Sequence, residues 1–520
     1  MFGRNTIGGA IVLETNSPDL QRAYGSATLT FGRFNRREYT VTGNLPLSDT
    51  FGVRVAATRQ VSDGYVDAIL TGKELGDENT DAARIEALWK PKDQFNLLWE
   101  VDSFADHSDG PPTVFGGINA AAQFPEFASY AAGCPGATPA TPVPETRTID
   151  PRCANNAYLS LGPYATDQNG PERSDTHVWG THLTATWQLD PSFTVKSITA
   201  YRETQPDSIR DADNTPLIIL ETINRDDMKQ FTQELRFQGT SLQDRMNWQA
   251  GAFYFHETDP QYNPAYLPLP APDVTNSANT DAWIKNVSYA FYTQGTYKVT
   301  QELQFTAGVR YTADIKDATP YITAQPPLTY SGTGSSFYAD QITGGNPVFL
   351  VPYPGVNPYD APVVQGYETN YPTSDYVCLG GPVAVAVAHG IGGNCVGSSQ
   401  YLYAPVLNRL RDHKMTPMAS LQYSWTQQLM TYLSDSIGYK SGGFNTRIIQ
   451  PVFTADDPTG RQLLPGFGPE TVYSYETGAK LNTERMQLDG AVFFASYQDM
   501  QLEVRDGAAP VLENAGGADQ

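Results

Sequence analysis

The sequence predicts an all-β protein, a transmembrane antiparallel β-barrel. Three observations support this fold: many segments alternate apolar with polar residues, aromatic residues lie near the segment ends, and short turns alternate with long loops. The segment 303–312 shows the alternation most clearly. Phe305, Val309 and Tyr311 share one face while Arg310 lies on the other, because strand side chains point alternately to opposite faces. A soluble antiparallel sheet can alternate in the same way, so recurrence of the pattern decides.

The alternation recurs along most of the chain. It appears again in the stretches 95–102, 177–189, 193–202 and 486–494. We count about 14 to 16 candidate strands, whereas the large plugged barrels have about 22, so the predicted barrel is incomplete. Aromatic residues near strand ends are typical of the girdles of membrane barrels, and the candidates are Trp89, Tyr201, Tyr254, Tyr311 and Tyr439.

Composition excludes several classes of protein. The 520 residues contain 34 Lys and Arg against 56 Asp and Glu, a net charge of −22. An acidic surface disfavours nucleic acid as a partner, because phosphate binding needs basic residues. No apolar run approaches the roughly 18 residues of a transmembrane helix. A barrel remains compatible with this hydropathy, because its lumen-facing residues are polar.

Two segments without periodicity, near 105–175 and 318–411, are predicted to be long loops. Each segment contains two cysteines. Their spacing is not C-x-x-C and no histidine cluster accompanies them, which disfavours zinc. We therefore predict two loop-closing disulfides, formed in an oxidising compartment: Cys134–Cys153 and Cys378–Cys395.

The sequence contains no catalytic or metal-binding motif. Its six histidines form no H-E-x-x-H spacing, and no G-x-S-x-G signature occurs. The glycine-rich start of the chain has Gly9 and Ala10 where a phosphate-binding loop needs Lys and Ser or Thr. Asp211 and Asp213 could begin a calcium loop, but Pro216 stands where the required glycine belongs. We predict that the protein is not an enzyme and has no cofactor or metal site.

Three short motifs resemble motifs of the TonB-dependent outer-membrane receptors. Their residues are, in chain order, Gly3, Arg4, Asn5, Gly8 and Gly9; Tyr439, Lys440, Gly442, Gly443, Phe444 and Asn445; and Pro469, Glu470 and Glu476. In that family the first motif ends the plug domain, and the second closes a barrel strand and opens an extracellular loop. The third lies on the returning strand.

The resemblance implies a domain organisation. Residues 1–18 would be the C-terminal end of a plug domain, and residues 19–520 a partial β-barrel with extracellular loops near 105–175 and 318–411. Most of the plug and roughly six barrel strands would be absent from this chain. The first barrel strand, near 23–32, is therefore predicted to lack one neighbour, which leaves the wall open.

The resemblance also implies a function. Members of the family bind a scarce ligand, most often a ferric siderophore, at the bacterial outer membrane and import it into the periplasm. The implied partners are outer-membrane lipid, the small-molecule ligand, and the TonB energy-transducing protein acting through an N-terminal region absent here. No substrate-contacting residue is predicted. A passive porin and a soluble all-β ligand-binding module remain as alternatives.

Overall fold

The computed structural model describes residues 5, 7, 14–118, 124–138, 148–170, 172–268, 275–325, 407–448, 463–506 and 509–520. In this part the chain is mostly strand, with one α-helix, α1 (Phe124–Ala131), and a 3-10 helix (Asn156–Leu161). No helix among these residues is long and apolar enough to cross a membrane. The strands are β1 (Tyr24–Phe31), β2 (Arg37–Ser48), β3 (Phe51–Ser62), β4 (Val66–Ala68), β5 (Lys73–Leu75), β6 (Glu78–Lys92), β7 (Phe95–Ser108), β8 (Ala165–Thr166), β9 (Arg173–Asp190), β10 (Phe193–Asp211), β11 (Glu221–Asp226), β12 (Met228–Ser241), β13 (Met246–Tyr262), β14 (Pro264–Pro268), β15 (Thr275–Lys298), β16 (Leu303–Gln325), β17 (Asn408–Ser424), β18 (Leu429–Lys440), β19 (Gly443–Phe444), β20 (Gly466–Phe467), β21 (Glu470–Asn482), β22 (Gln487–Gln498), β23 (Gln501–Asp506), β24 (Ala509–Asn514) and β25 (Ala518–Asp519).

Fifteen of these strands form one continuous antiparallel wall, within the predicted range of 14 to 16. Each strand pairs with the next, in the order β1, β2, β3, β6, β7, β9, β10, β12, β13, β15, β16, β17, β18, β21 and β22. The prediction of a large antiparallel all-β wall is therefore confirmed.

Short and long connections lie at opposite ends of the wall, as the sequence predicts. The short turns are 49–50, 93–94, 191–192, 242–245, 299–302, 425–428 and 483–486. The long connections include 109–172 between β7 and β9 and 326–407 between β16 and β17. In an antiparallel wall alternate connections must fall at alternate ends, so this pattern separates a short-turn rim from a long-loop rim.

Several strands are longer than the alternation predicts. β15 has 24 residues and β16 has 23, whereas a tilted membrane strand needs about 9 to 11. The two predicted loops are correspondingly shorter. β7 continues to Ser108 and β9 begins at Arg173, while β16 continues to Gln325 and β17 begins at Asn408. On the long-loop side, the strands therefore continue well beyond the residues that alternate between apolar and polar.

Polar and apolar side chains of the wall are distributed in the reverse of a soluble protein. On the outer face Phe305 is 42% exposed and Val492 is 73% exposed. On the inner face Glu86 is 2% exposed and Arg310 is 8% exposed. A soluble sheet buries its apolar face and exposes its polar face. The wall instead has an apolar exterior and a polar interior.

Aromatic side chains form contacts at two heights of the outer face. Near the short-turn rim, Trp89 meets Phe95 edge-on with ring centroids 6.4 Å apart. Toward the long-loop rim, Tyr254 contacts Tyr289 at 5.2 Å, and Tyr311 is exposed on the outer face. Such paired levels of amphipathic rings are typical of the two edges of an apolar membrane belt.

Tyr439, also predicted to lie in the girdle, does not belong to it. Its side chain is only 6% exposed. At the same height of the neighbouring strand, Glu470, Thr471 and Val472 are all buried. Three consecutive buried residues mean that both faces of the wall are covered there, so an aromatic at this height meets protein.

The wall does not close within the described residues. β1 pairs with β2 alone, and beyond β21 the last long strand, β22, pairs only with the two-residue β25. Every residue of β1 is exposed. The open wall agrees with the prediction for the first strand.

The described residues of the connection between β7 and β9 fold into a unit on the long-loop side of the wall, here called the outer unit (residues 109–118, 124–138, 148–170 and 172, with β4, β5 and residues 211–220). β4 pairs with both β5 and β8, and Val66 and Ala68 of β4 are buried together with Leu75 of β5. A disulfide joins Cys134 to Cys153. A second apolar cluster packs Ala128 of α1 against Leu217 and Ile219. The outer unit is thus fixed by a covalent link and two small apolar cores.

Candidate functional site

The first and second sequence motifs meet at the end of β18. Asn5 Oδ1 accepts hydrogen bonds from the N–H and the hydroxyl of Ser441, each at 3.1 Å. Asn5 has a φ of +55°, a left-handed conformation that Asn tolerates better than most residues. Asn5, which belongs to the described part of the N-terminal segment (residues 5, 7 and 14–18), therefore lies where the second motif opens its loop. The other residues of the first motif, Gly3, Arg4, Gly8 and Gly9, lie outside the described residues.

Glycine is required in the second motif by close backbone approach. The Gly442 N–H donates to Asp412 Oδ2 of β17 at 2.9 Å. A Cβ at Gly442 would collide with the carbonyl oxygen of Phe467. The next two residues, Gly443 and Phe444, form β19 and pair with β20. The motif thus turns the chain tightly from the end of β18 into the loop.

The third motif is joined to the second by a buried glutamine. Glu470, which follows Pro469 at the start of β21, accepts a hydrogen bond from the Gln501 N–H at 3.0 Å. Gln501 Nε2 donates to the carbonyl oxygens of Ser441 at 3.1 Å and Gly468 at 2.9 Å. All three hydrogen bonds converge on the first residue of β23.

Asn445 extends this network to the second strand of the same hairpin. Its Nδ2 donates to the Leu512 carbonyl oxygen at 2.9 Å, and the Leu512 N–H donates to its Oδ1 at 2.8 Å. Tyr439 and Lys440 precede the network as the last residues of β18, where they pair with the start of β21. The residues of the second and third motifs therefore form one junction between β18, β21 and the β23–β24 hairpin.

Glu476 lies on the inner face, closer to the short-turn rim than the three motifs' junction, and contacts an aromatic ring. The Tyr432 hydroxyl donates to Glu476 Oε1. The Tyr432 ring crosses Gly478, where an added Cβ would stand 2.7 Å from a ring carbon. Lys480 Nζ lies 5.9 Å from the centre of the same ring. The glycine makes room for the ring, and the ring aims its hydroxyl at the carboxylate.

The same arrangement recurs on the inner face of β12, β13 and β15. The Tyr292 hydroxyl donates to Glu234 Oε1, and the Tyr292 ring crosses Gly251. Arg236 donates to Glu234 at 3.0 Å and to the Tyr292 hydroxyl at 3.3 Å. Tyrosine, carboxylate and cation thus form a closed hydrogen-bonded group on the inner wall.

Arg310 continues this group onto β16. Its guanidinium lies 5.7 Å from the ring centre of Phe253 and 5.9 Å from that of Tyr292. Its Nε donates to Thr312 Oγ1 at 3.1 Å. Two aromatic faces and a hydroxyl therefore surround a buried cation, and the alternation had placed Arg310 on the polar face.

A second polar row crosses the inner face of the first strands. Arg54, Glu86, Glu100 and His182 stand opposite one another on β3, β6, β7 and β9. Arg54 Nε lies 3.8 Å from Glu86 Oε2, and His182 contacts Glu100. The hydroxyl of Thr15, from the N-terminal segment, donates to Glu86 at 3.0 Å. The wall therefore binds Thr15 at this row and Asn5 at Ser441.

The outer unit contains two buried carboxylates, Glu172 and Asp211, and the half-buried Asp213, which close its loops. Asp213 Oδ2 accepts from the Leu220 N–H at 3.0 Å, Asp211 Oδ2 from the Asn169 N–H at 3.0 Å, and Glu172 Oε1 from the Asp211 N–H at 2.9 Å. Burial raises the pKa of Glu172 to about 7, and burial together with the charge of Asp211 raises the pKa of Asp213 to about 7. These carboxylate oxygens accept hydrogen bonds from backbone N–H groups. Asp211 and Asp213, considered above as calcium ligands, therefore stabilise a loop.

Some site residues could not be recognised from sequence. Glu86, Glu100 and Gln501 carry no motif, and only their inward position and burial distinguish them. In the part of the chain that the structure describes, no three His, Cys, Asp or Glu side chains converge as a metal site would require. The second predicted disulfide, Cys378–Cys395, falls outside the described residues.

An apolar exterior around a polar interior, with a segment docked on the inner wall, defines a barrel wall of the membrane type. The family described as TonB dependent receptor-like, beta-barrel matches residues 135–519. The chain belongs to this family, as the three motifs predict. The family comprises transporters, consistent with a protein that is not an enzyme.

Solved structures with this fold include three receptors. The ferric yersiniabactin uptake receptor FyuA of Yersinia pestis has a TM-score of 0.61 at 16% identity, covering 97% of this chain and 58% of its own. The siderophore receptor PiuA of Acinetobacter baumannii gives 0.59 at 9%, covering 97% and 61%. The ferric-catecholate import receptor Fiu of E. coli K12 gives 0.57 at 14%, covering 95% and 61%. The chain thus shares their fold and spans about three-fifths of their length.

Proposed function

We propose that this chain forms the wall of an outer-membrane TonB-dependent transporter that imports a scarce ligand, a ferric siderophore, into the periplasm. Residues 1–18 would be the end of its plug domain and residues 19–520 its partial barrel. The observation that carries the proposal is the reversed wall: Val492 faces outward at 73% exposure while Glu86 is buried inward at 2%. An exposed apolar belt is favourable in hydrocarbon and costly in water.

The docking of the N-terminal segment supports active transport over a passive pore. Asn5 accepts hydrogen bonds from Ser441, directly after β18, and Thr15 donates to Glu86 of β6. As the end of a plug domain, this segment would tie the plug to the wall, and the plug would block the wide barrel until work is done on it. The energy-transducing partner would be TonB. The lipid of the outer membrane would surround the barrel.

The ligand class is supported by the names of structures that share the fold. Three of them are named as receptors for siderophores or their iron complexes. A structure named copper transporter OprC also shares the fold, with a TM-score of 0.54 at 9% identity. Ferric siderophores are therefore the proposed substrates, and copper is the alternative that an uptake experiment must separate.

The experiment compares a strain lacking the gene with the same strain complemented by it. Uptake is measured with radioactive iron bound to a catecholate siderophore and, separately, with radioactive copper. We expect the complemented strain to take up the iron complex, and a protonophore to abolish this uptake. Uptake that persists in de-energised cells would identify a passive porin. Uptake of copper alone, or protein recovered in the soluble fraction, would overturn the proposal.

A further inference from the structure

Ser441 is shared between two partners from opposite ends of the chain. Its N–H and hydroxyl donate to Asn5, and its carbonyl oxygen accepts from Gln501 Nε2, all at 3.1 Å. Ser441 is only 2% exposed, so water cannot readily replace a lost partner. One buried residue therefore contacts both the N-terminal segment and the first residue of the β23–β24 hairpin.

Two separate side chains anchor the hairpin. Gln501 fixes its first strand through Ser441, Gly468 and Glu470. Asn445 fixes its second strand through the reciprocal pair with Leu512. The first anchor is in contact with the residue that holds Asn5, whereas the hydrogen bonds of the second run to Leu512. Gln501 is therefore the anchor that can respond to the N-terminal segment. Asn445 is the anchor that serves as a control.

We propose that Ser441 couples the docking of the N-terminal segment to the order of the β23–β24 hairpin, with Gln501 as the positioning residue. When Asn5 leaves, the buried donors of Ser441 lose their acceptor, and leaving them unpaired is costly. Ser441 then reorients and withdraws the carbonyl oxygen that Gln501 requires. Because coupling is reciprocal, a ligand that orders the hairpin would also stabilise the hydrogen bonds between Asn5 and Ser441. The relevance to import rests on the proposed transport function.

The test is a double-mutant cycle read by hydrogen exchange of the hairpin amides in the whole purified chain. Asn5→Gly removes the acceptor without strain, because the φ of Asn5 is +55°. We expect Asn5→Gly to speed exchange in 501–504 and 511–514 by about fivefold, the lower end of typical coupling. The same substitution in a Gln501→Ala background should have no further effect. If Gln501→Ala does not fold, Gln501→Met removes the same donor at similar volume.

Two further variants serve as controls. Asn445→Ala should also speed hairpin exchange, but the fivefold effect of Asn5→Gly should persist in its background. Asn5→Asp keeps an acceptor oxygen and should behave as the unsubstituted protein. Unchanged exchange in Asn5→Gly, or equal effects of it in the Gln501 and Asn445 backgrounds, would overturn the proposal. The exchange experiment needs neither ligand nor energy, so a failure of transport alone would count only against the proposed function.

Discussion

The ring of Tyr292 lies across Gly251 of the neighbouring strand, so that a Cβ at Gly251 would stand 2.5 Å from its Cζ and hydroxyl. Gly251→Ala must therefore displace the ring and break its hydrogen bond to Glu234. We expect the free energy of unfolding to fall by about 1–3 kcal/mol, as in other overpacked sites. Denaturant titration of the protein in lipid vesicles measures this change.

Gly490 provides the matched control for that substitution. It also lies in a wall strand, β22, but a Cβ added there meets no atom within 4 Å. Gly490→Ala should change the unfolding free energy by no more than about 0.5 kcal/mol. Equal losses at Gly251 and Gly490 would mean that the Tyr292 ring does not depend on the space above Gly251.

Two carboxylates with raised pKa values predict that the outer unit is less stable at higher pH. Glu172 and Asp213 have pKa values raised to about 7, so the folded state binds protons more tightly than the unfolded state. Stability is then greatest below the ordinary carboxyl range, falls as the pH rises toward 7, and is constant above it. Hydrogen-exchange protection factors of residues 211–220, corrected for intrinsic rates, should be higher at pH 5 than at pH 8.

Glu172→Gln isolates one of these protons. Glutamine retains the oxygen that accepts from the Asp211 N–H but carries no charge at any pH. We expect the variant to resemble the unsubstituted protein at pH 5 and to be better protected than it at pH 8. A variant with the same pH dependence as the unsubstituted protein would exclude Glu172 as its source.

The disulfide between Cys134 and Cys153 closes a loop with a sequence separation of 19. Chain-entropy arguments assign about 3 kcal/mol to a loop of roughly this size. Replacing both cysteines by serine should therefore lower exchange protection in α1 by about a hundredfold and leave the wall strands unchanged. Unaltered protection in α1 would show that the apolar cluster around Ala128 suffices.

The Cys378–Cys395 pairing remains a prediction, which mass mapping under non-reducing conditions tests.

The alternation of apolar and polar residues predicted the strands correctly where one face of the wall is apolar and the other is polar. In 303–312 it assigned Phe305 and Arg310 to opposite faces, and the structure exposes the first and buries the second. It could not predict the rest of β16, because Asp317, Ala318 and Thr319 are all buried. With both faces covered by protein, a strand has no period-two pattern, although its hydrogen-bond ladder continues.

The site was predictable in its motifs but not in its contacts. The resemblance singled out Asn5, Gly442 and Glu470, yet nothing in the sequence brings Asn5 to Ser441, from which it is separated by 436 positions. Gln501, which joins the second and third motifs, belongs to no motif. Its role depends on a long-range fold that local patterns do not encode.

If the outer face of the wall lies in hydrocarbon, two neighbouring residues of β22 must respond differently to a charge. Val492 faces outward beside Thr477, whereas Ala491 faces inward beside Gly478. Both side chains are exposed in the isolated chain, so in a water-soluble protein an arginine at either position would be nearly neutral.

The decisive measurement is the unfolding free energy of Val492→Arg and Ala491→Arg in phospholipid vesicles. An arginine facing lipid near the middle of a bilayer costs about 2–4 kcal/mol, and one facing the lumen remains hydrated. We predict a loss of this size for Val492→Arg and little change for Ala491→Arg. Two nearly neutral variants, or two equal losses, would show that the outer face of the wall does not lie in hydrocarbon.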